Sequence, residues 1–594
     1  MRAALLTACV LPFACAWAQE PRSSWSDVER VIAFGDVHGA ADELIGLLRA
    51  ASVIDEDLQW SAGKAHVVSL GDLLDRGAQS REVMDLLMRL QSEAAAEGGA
   101  LHVVLGNHEA MNVLGDLRYV TPEEFSAYVA DEPADLRDRL RADWVTRGGV
   151  GSEAEFDRRF PPGYFGHRAA FARDGRYGRW LLGLPVAIVI DDTLFMHGGP
   201  SHPLDGLSLE EINRRYRSAL AEYVSTLDTL EAAGLVRIDD SFDERATLAE
   251  QRQKNGPATL ADAVRRFAAA DSIDMLGGDG PNWSRGAALC REASEADVLR
   301  PLLEGLGVDR LVIGHTVTQD RRVASRFDGA VIKLDTGMNR AAYQGDPAAL
   351  LLEKGGARVV YADERGEPAA VPEEPLRVTP SELDDAAVAA VLASGEVTVG
   401  TPRDAGAIEV TVELEGRRVG ALFVPARGDN VTREVAAYRL DRALRLGLLP
   451  ATVERAVNGR AGFLQARPPR FVTQAEVEAR SLRPSGSCAV PPQFELMYAF
   501  DALIGNQGRT RERMLYDAEW MLLLTGHDRA FGTAKALPPG LPARPGAEMR
   551  RRLAALDAAT LEQAVGGLLS ERELTALLAR RDALLAENAA PNRR

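Results

Sequence analysis

A two-part α/β fold is predicted from three observations. Short apolar runs alternate with stretches of helical periodicity. The runs end in glycine-bearing turns that carry acids, amides and imidazoles. Past the middle of the chain the composition changes, which marks a second, α+β unit. The turns that define the first part are VIAFGDVHG (31–39), HVVSLGDLLDRG (66–77) and LHVVLGNHE (101–109). Asp36, Asp72 and Asn107 lie 36 and 35 residues apart, about one βαβ unit each.

The chain has 594 residues, enough for two or three domains, and an apolar content of 46% that can fill their cores. Its net charge is −18 and it has no long Lys/Arg block, which argues against nucleic acid as the main partner. Residues 1–18 predict a secretory signal: Arg2, the apolar AALLTACVLPFACA, and Ala16-Trp17-Ala18 before Gln19. The expected destination is the periplasm. The apolar part is short for a membrane span, and no later stretch is long enough for one. Cys9 and Cys15 would leave with the signal. Cys290 and Cys488 remain, and an oxidising compartment permits a disulfide between them without the sequence showing that they meet.

After Arg22 the elements follow in order. ADELIGLLRAASVI (41–54) and SREVMDLLMRLQSEAAAEG (80–98) have helical periodicity between the three strands. Residues 116–180 interrupt the pattern as a charged, mostly helical insertion over the site, with PPGYFGHR as a loop. Strands return at 184–199, 309–316 and 329–337, around a helical stretch at 208–270. Residues 363–380 are rich in Pro and Glu and read as a linker. The second unit is expected over 398–594. In it, 408–426 reads as two strands turning at Glu415-Gly416, 432–466 as a helix, a loop and a hairpin, and 544–589 as a solvated bundle edge.

Five strand ends carry residues of metal-ligand type: Asp36 with His38, Asp72, Asn107 with His108, His197, and His315. Mixed carboxylate, imidazole and amide donors suit two divalent ions such as manganese, iron or zinc. A carboxylate such as Asp72 can bridge ions about 3.5–4 Å apart and hold a water that becomes hydroxide and attacks phosphorus in line. His66, His102, His167, His202 and His527 read as surface, strand or turn residues.

GDVHG, GDLLDRG, GNHE, HGG and GHT resemble, in order, the motifs of the calcineurin-like metallophosphoesterases. The full DRG and GNHE are similar to the phosphoprotein-phosphatase branch. The insertion, GRYGRWL (175–181) and GDGPNWSRG (278–286) resemble the bacterial Shewanella-like protein phosphatases. The resemblance covers residues 28–362 and implies a β-sandwich flanked by helices. One departure is GHT, which lacks the second histidine of the GHxH found in many members. The resemblance implies that Asp36, His38 and Asp72 hold one ion, and Asp72, Asn107, His197 and His315 the other. It makes His108 the general acid, oriented by Asp75, and gives Arg76 and Asn107 to the phosphate. A second phosphate arginine is usual in this branch. Arg168 and Arg285 are its candidates, each being otherwise a salt-bridge residue. Trp283 either lines the pocket or anchors its loop.

REVAAYRLDRALRLGLLPATV and FDALIGNQGRTRERMLYDAEWMLLLTGHDRAF (500–531) resemble the helix-strand and catalytic segments of atypical kinases, the secretory-pathway and lipid-kinase-like groups. The positions expected to hold the lysine, catalytic aspartate, metal asparagine and second metal aspartate are Val424, Gly508, Arg513 and Gly526. Glu434 and Asp528 remain. Phosphoryl transfer depends on the missing charges. The implied module is a pseudokinase that binds a nucleotide or docks on the catalytic domain.

The expected function is that of an exported dinuclear-metal phosphatase acting on phosphoproteins, with phosphotyrosine and phosphoserine/threonine both open. A small phosphoester or dinucleoside polyphosphate is the alternative substrate, since one metal chemistry serves many. A non-enzymatic binding scaffold is the third reading, and the intact Asp72, Arg76, Asn107 and His108 speak against it.

Overall fold

The computed structural model describes residues 22–586, apart from 134, 149–151, 272, 365–366, 380–381 and 404–405. The signal expected at 1–18 lies outside the described residues. Two six-stranded sheets form the first part. In spatial order one sheet runs Ala369–Ala370, Gly356–Tyr361, Ala348–Glu353, Arg30–Phe34, His66–Ser69, Ala100–Val103. The other runs Ser24–Trp25, Ala187–Ile190, Thr193–Met196, Arg310–Ile313, Val331–Lys333, Ala324–Arg326.

Successive strand residues point to opposite faces. Val31, Ala33, Val68 and Leu70 meet Ile188, Phe195 and Val312 between the sheets. Ile32, Phe34, Val67 and Leu101 instead pack with Leu44, Leu47 and Leu87 of helices Ala41–Ala50 and Ser80–Ala96. Strands buried on both faces read as continuous apolar runs. This is the sandwich the resemblance implies.

Arg30–Phe34, His66–Ser69 and Ala100–Val103 are parallel, so Phe34, Ser69 and Val103 end at one edge. In the facing sheet Thr193–Met196, Arg310–Ile313 and Val331–Lys333 are parallel as well. Every chemistry-bearing turn follows one of these six carboxyl ends.

Three expectations are corrected. The segment PPGYFGHR is a loop only as far as Gly163, where φ of 89° turns the chain, and helix Tyr164–Phe171 starts at once. Packing drives this: Phe165 joins Phe156 and Phe160 in an aromatic cluster, and Phe171 enters the main core. Between 367 and 379 the chain does not run free as a linker. Ala369–Ala370 pairs with Gly356–Tyr361, and Lys333 donates to Glu374 at 2.8 Å. The 544–589 helices are no mere solvated edge: Leu553, Leu561, Leu577 and Leu584 are core residues, and buried Arg580 donates to the Leu503 carbonyl at 2.8 Å.

The second unit begins earlier than 398. Val388, Val391 and Leu392 of helix Asp385–Ser394 share a core with Val410, Val412 and Phe423. Its five-stranded sheet runs Glu396–Pro402, Ile408–Leu414, Arg417–Pro425, Gly462–Ala466, Thr452–Glu454. The turn at Glu415 and Gly416 has φ of 51° and 78°, as two-residue hairpins require.

Cys290 and Cys488 are paired, with Cα atoms 5.4 Å apart across 198 residues of sequence. Next to them buried Arg291 donates to the Gly447 carbonyl at 2.6 Å and to Gln493 Oε1 at 2.9 Å. In the chain-entropy view, closing so long a loop stabilises by about 5 kcal/mol. Cys488→Ser is therefore expected to lower the denaturant midpoint of the second unit clearly. An unchanged midpoint under oxidising conditions would show that the bridge adds nothing.

Candidate active site

The six turns converge. Glycine lets them touch: a Cβ on Gly106 would lie 2.3 Å from Asp72 Oδ1, and one on Gly71, at φ of 95°, 2.5 Å from the Gly106 nitrogen. His38, Asp72, Asp75, Arg76 and His315 all hold positive φ, between 49° and 69°. Such backbone persists only where surroundings fix it, and it gathers at functional sites.

Asp72 Oδ2 is the common point. It lies 3.8 Å from His38 Nε2, 3.8 Å from His108 Nε2 and 3.2 Å from His197 Nε2. Two groups could each hold a cation, His38–Asp72–His108 and Asp72–His197–His315, and both contain Asp72. Asn107 Oδ1 reaches His197 Nε2 at 2.9 Å, and Asp36 Oδ2 lies 4.0 Å from His38 Nε2. His38 Nδ1 and His197 Nδ1 contact the carbonyls of Leu74 and Leu70 at 2.9 and 2.8 Å, leaving each Nε2 toward Asp72. His315 Nε2 contacts the Trp283 carbonyl at 3.1 Å, which leaves Nδ1. Backbone carbonyls on the far nitrogen are how proteins orient ligand imidazoles.

The electrostatics fit divalent cations. Asp36, Asp72 and Asp335 are all buried together. Burial, then Asp335 and Asp72, push the Asp36 pKa well up, and burial with Asp72 pushes Asp335 up to about 6. Burial opposes the ionised form of Asp72 too, but His197 and His108 hold its pKa well below the carboxylate range. Against burial, Asp72 and Asp36 push His197 up to about 10. Burial keeps His38 down at about 3 and His315 well below its ordinary value, so both are neutral donors. Closely buried carboxylates need compensating charge, which divalent cations held by these residues would supply.

Beside the cluster, His108 Nδ1 meets Asp75 Oδ2 at 2.5 Å, while Asn112 Nδ2 donates to Asp75 Oδ1 at 3.0 Å. Burial would lower the His108 pKa, but the Asp72 charge and the Asp75 hydrogen bond overcome it and raise it. Arg76 Nη1 lies 3.3 Å from His38 Nε2, with its guanidinium over the rings of Tyr119 and Tyr343. Arg285 Nη1 donates to the His315 carbonyl at 2.9 Å and to Thr316 Oγ1 at 3.0 Å. Trp283 lies edge-on to His315. Arg168 is placed elsewhere: it donates to the Asn112 carbonyl at 2.7 Å, at the far end of helix Asn107–Leu114.

Of the remaining histidines, His66 and His102 pair on adjacent strands at 3.2 Å, and His167 is buried among aromatic rings. His202 is exposed on a short turn, and His527 lies against Glu434. None joins the cluster.

Four groups were not singled out from the sequence. Glu109 accepts from the Asp72, Leu73 and Gly106 nitrogens, each at 2.8 Å, tying two turns together. Its signal was the last letter of GNHE. Asp335 follows a strand in LDTG, the pattern already used for Asp36. Asn112 lies four residues after His108, one helical turn on. Tyr119, whose ring is 5.1 Å from His108, carried no signal.

Residues 29–319 match the family model of the calcineurin-like phosphoesterases. Shewanella-like protein phosphatase 2 of Arabidopsis thaliana is 26% identical over 358 residues, 56% of this chain and 78% of that one. Shewanella-like protein phosphatase 1 of Plasmodium berghei is 22% identical over 321 residues, 54% of this chain and 69% of that one. Among solved structures, the cold-active protein-tyrosine phosphatase of a psychrophilic Shewanella is 26% identical, with a TM-score of 0.40, covering 59% of this chain and 83% of that one. Residues 29–319 are thus a calcineurin-like metallophosphoesterase domain, and the chain is a metal-dependent phosphoesterase.

Proposed function

We propose that the protein is an exported phosphatase that removes phosphate from phosphoproteins. One observation carries the reading: Asp72 Oδ2 is shared by two groups that could each hold a cation, and His108, in the first of them, is held on Nδ1 by Asp75 as a proton donor while Asp36 stands beside His38 as the ligand in its place. Two divalent ions of the manganese, iron or zinc kind, held by Asp36, His38, Asp72, Asn107, His197 and His315, would supply Lewis-acid activation of water. The chain's own groups do the rest. Asp75 holds His108 Nδ1, so the proton delivered to the leaving oxygen sits on Nε2, on the Asp72 side. Arg76 and Arg285 present guanidinium forks to the phosphate oxygens. Burial lowers the Arg285 pKa against the opposing pull of Asp36 and Asp72, which supports a role for it beside the cluster. The protein-phosphatase relatives favour a protein substrate. Export is supported by the disulfide, which an oxidising compartment preserves. Among the described residues no helix is long and apolar enough to cross a membrane.

For the second unit we propose a kinase-like module without phosphoryl transfer, docked on the catalytic domain. Arg513 fills the expected metal corner: it donates to Asp528 at 2.6 Å and to the Gly526 carbonyl at 3.1 Å, and a Cβ on Gly526 would meet it at 2.3 Å. Glu434 holds His527 Nδ1 at 3.0 Å in place of a lysine. The contacts of Arg291 and the disulfide support docking.

The test is phosphate release from phosphorylated peptides with manganese. Arg285→Ala is expected to lower kcat/KM roughly 10- to 100-fold, as loss of a charge-assisted hydrogen bond does. Unchanged kinetics would remove Arg285 from the phosphate site.

A further inference from the structure

A separate cavity of about 640 Å³ lies inside the helical layer. Its walls come from helices Leu136–Thr146, Tyr164–Phe171 and Leu209–Ala232, from the segment 234–245, and from the carboxyl end of helix Asn107–Leu114. Ligand pockets commonly have such a size. None of the proposed metal ligands lines it.

Two arginines meet there. Arg168 uses Nη1 on the Asn112 carbonyl. Arg245, 6% exposed, uses Nε and Nη2 on the Tyr223 hydroxyl and Nη2 on the Leu114 carbonyl. Of the nitrogens left over, Arg168 Nη2 and Arg245 Nη1 converge: both come within 3.3 Å of the Cβ position over Gly115. Among the described residues neither guanidinium has a carboxylate within 4.0 Å. Most other charges on the walls are matched, Arg147 by Asp143 and Asp239, Arg173 by Asp228, and Asp240 by Arg252, while Arg237 is exposed. Glu231 shares the wall but lies beyond ion-pair distance of both arginines. Leu140, Val224, Leu227 and Ile238 give the cavity an apolar side.

Two cations, Arg245 buried and Arg168 half-buried, aimed at one point repel each other unless an anion joins them. We propose that this cavity binds a small organic acid. Its oxyanion is held between Arg168 Nη2 and Arg245 Nη1, and its apolar body lies against Leu140, Val224 and Leu227. Guanidinium pairs recognise carboxylate and phosphate heads alike.

The probe is 4-phenylbutyrate, titrated calorimetrically in phosphate-free buffer into the full mature chain loaded with manganese. Arg168→Met and Ala169→Trp alter this cavity and no proposed metal ligand, so they separate binding here from binding at the metal cluster. The neutral 4-phenylbutanol is the control. Saturable one-to-one binding of the acid is expected, with the alcohol and Arg168→Met each roughly tenfold or more weaker. Ala169→Trp, which fills the cavity and keeps both charges, is expected to abolish binding and decides the matter if Arg168→Met fails to fold. Absence of saturable binding would overturn the proposal. So would equal affinity for the alcohol, or affinity untouched by both substitutions.

Discussion

His108→Gln is expected to lower kcat by about 10²- to 10⁴-fold, the usual contribution of a general acid, with the metal content unchanged. Buried His108 is held by Asp75 at 2.5 Å on Nδ1, which leaves Nε2 to donate. The pH dependence follows from the same contacts. Burial alone would lower the His108 pKa, but Asp72 and Asp75 raise it above the ordinary imidazole value. A group that acts as a proton donor works below its pKa, so activity should persist at neutral pH and fall as pH rises through that value. Asp75→Asn removes one of the raising contacts. Its alkaline limb is therefore expected at lower pH than in the parent, with kcat reduced. An alkaline limb that stays in place in Asp75→Asn would separate it from His108, and full activity in His108→Gln would require another proton donor.

Asp72→Asn is expected to abolish turnover for a different reason. Its Oδ2 belongs to both ligand groups, and its Oδ1 accepts from the His108 nitrogen at 3.0 Å. Losing the charge weakens both cation positions together, while the neutral amide keeps the size of the side chain. Elemental analysis of manganese-loaded protein should give about two ions per chain for the parent and clearly fewer for the variant. Full occupancy in Asp72→Asn would contradict the bridging role. Equal loss in a variant of a residue belonging to only one group, such as His315, would do the same.

The site was legible in the sequence where the information is local. A strand ending in glycine and then a ligand-type residue specifies its own turn, and His38, Asp72, His197 and His315, with Asp36 beside His38 and Asn107 beside His197, meet at the carboxyl edges of the two sheets. Arg168 and Arg285 show where that reading stops. Both lie in segments joined to the cluster only through tertiary packing, and nothing local says on which side of helix Asn107–Leu114 a side chain will fall. Arg285 reaches His315, whereas Arg168 reaches the opposite end of the helix. Glu109 and Asp335 were visible in motifs, but their roles depend on backbone nitrogens and carboxylates brought together from distant turns. The 363–380 segment misled because proline-rich composition describes local stiffness, whereas strand pairing and the Lys333–Glu374 contact are properties of the folded sheet. The Cys290–Cys488 pair needed the relative placement of the two units, which no local pattern encodes.

The most direct measurement is phosphate release from phosphotyrosine and phosphoserine/threonine peptides by the mature chain from Gln19, with manganese, beside Asp72→Asn and with diadenosine tetraphosphate as a competing substrate. Metal-dependent release from at least one peptide class, absent in Asp72→Asn and faster than cleavage of the dinucleotide, is the expected result. Turnover confined to the dinucleotide, or peptide hydrolysis that survives in Asp72→Asn, would contradict the assignment of a dinuclear-metal protein phosphatase.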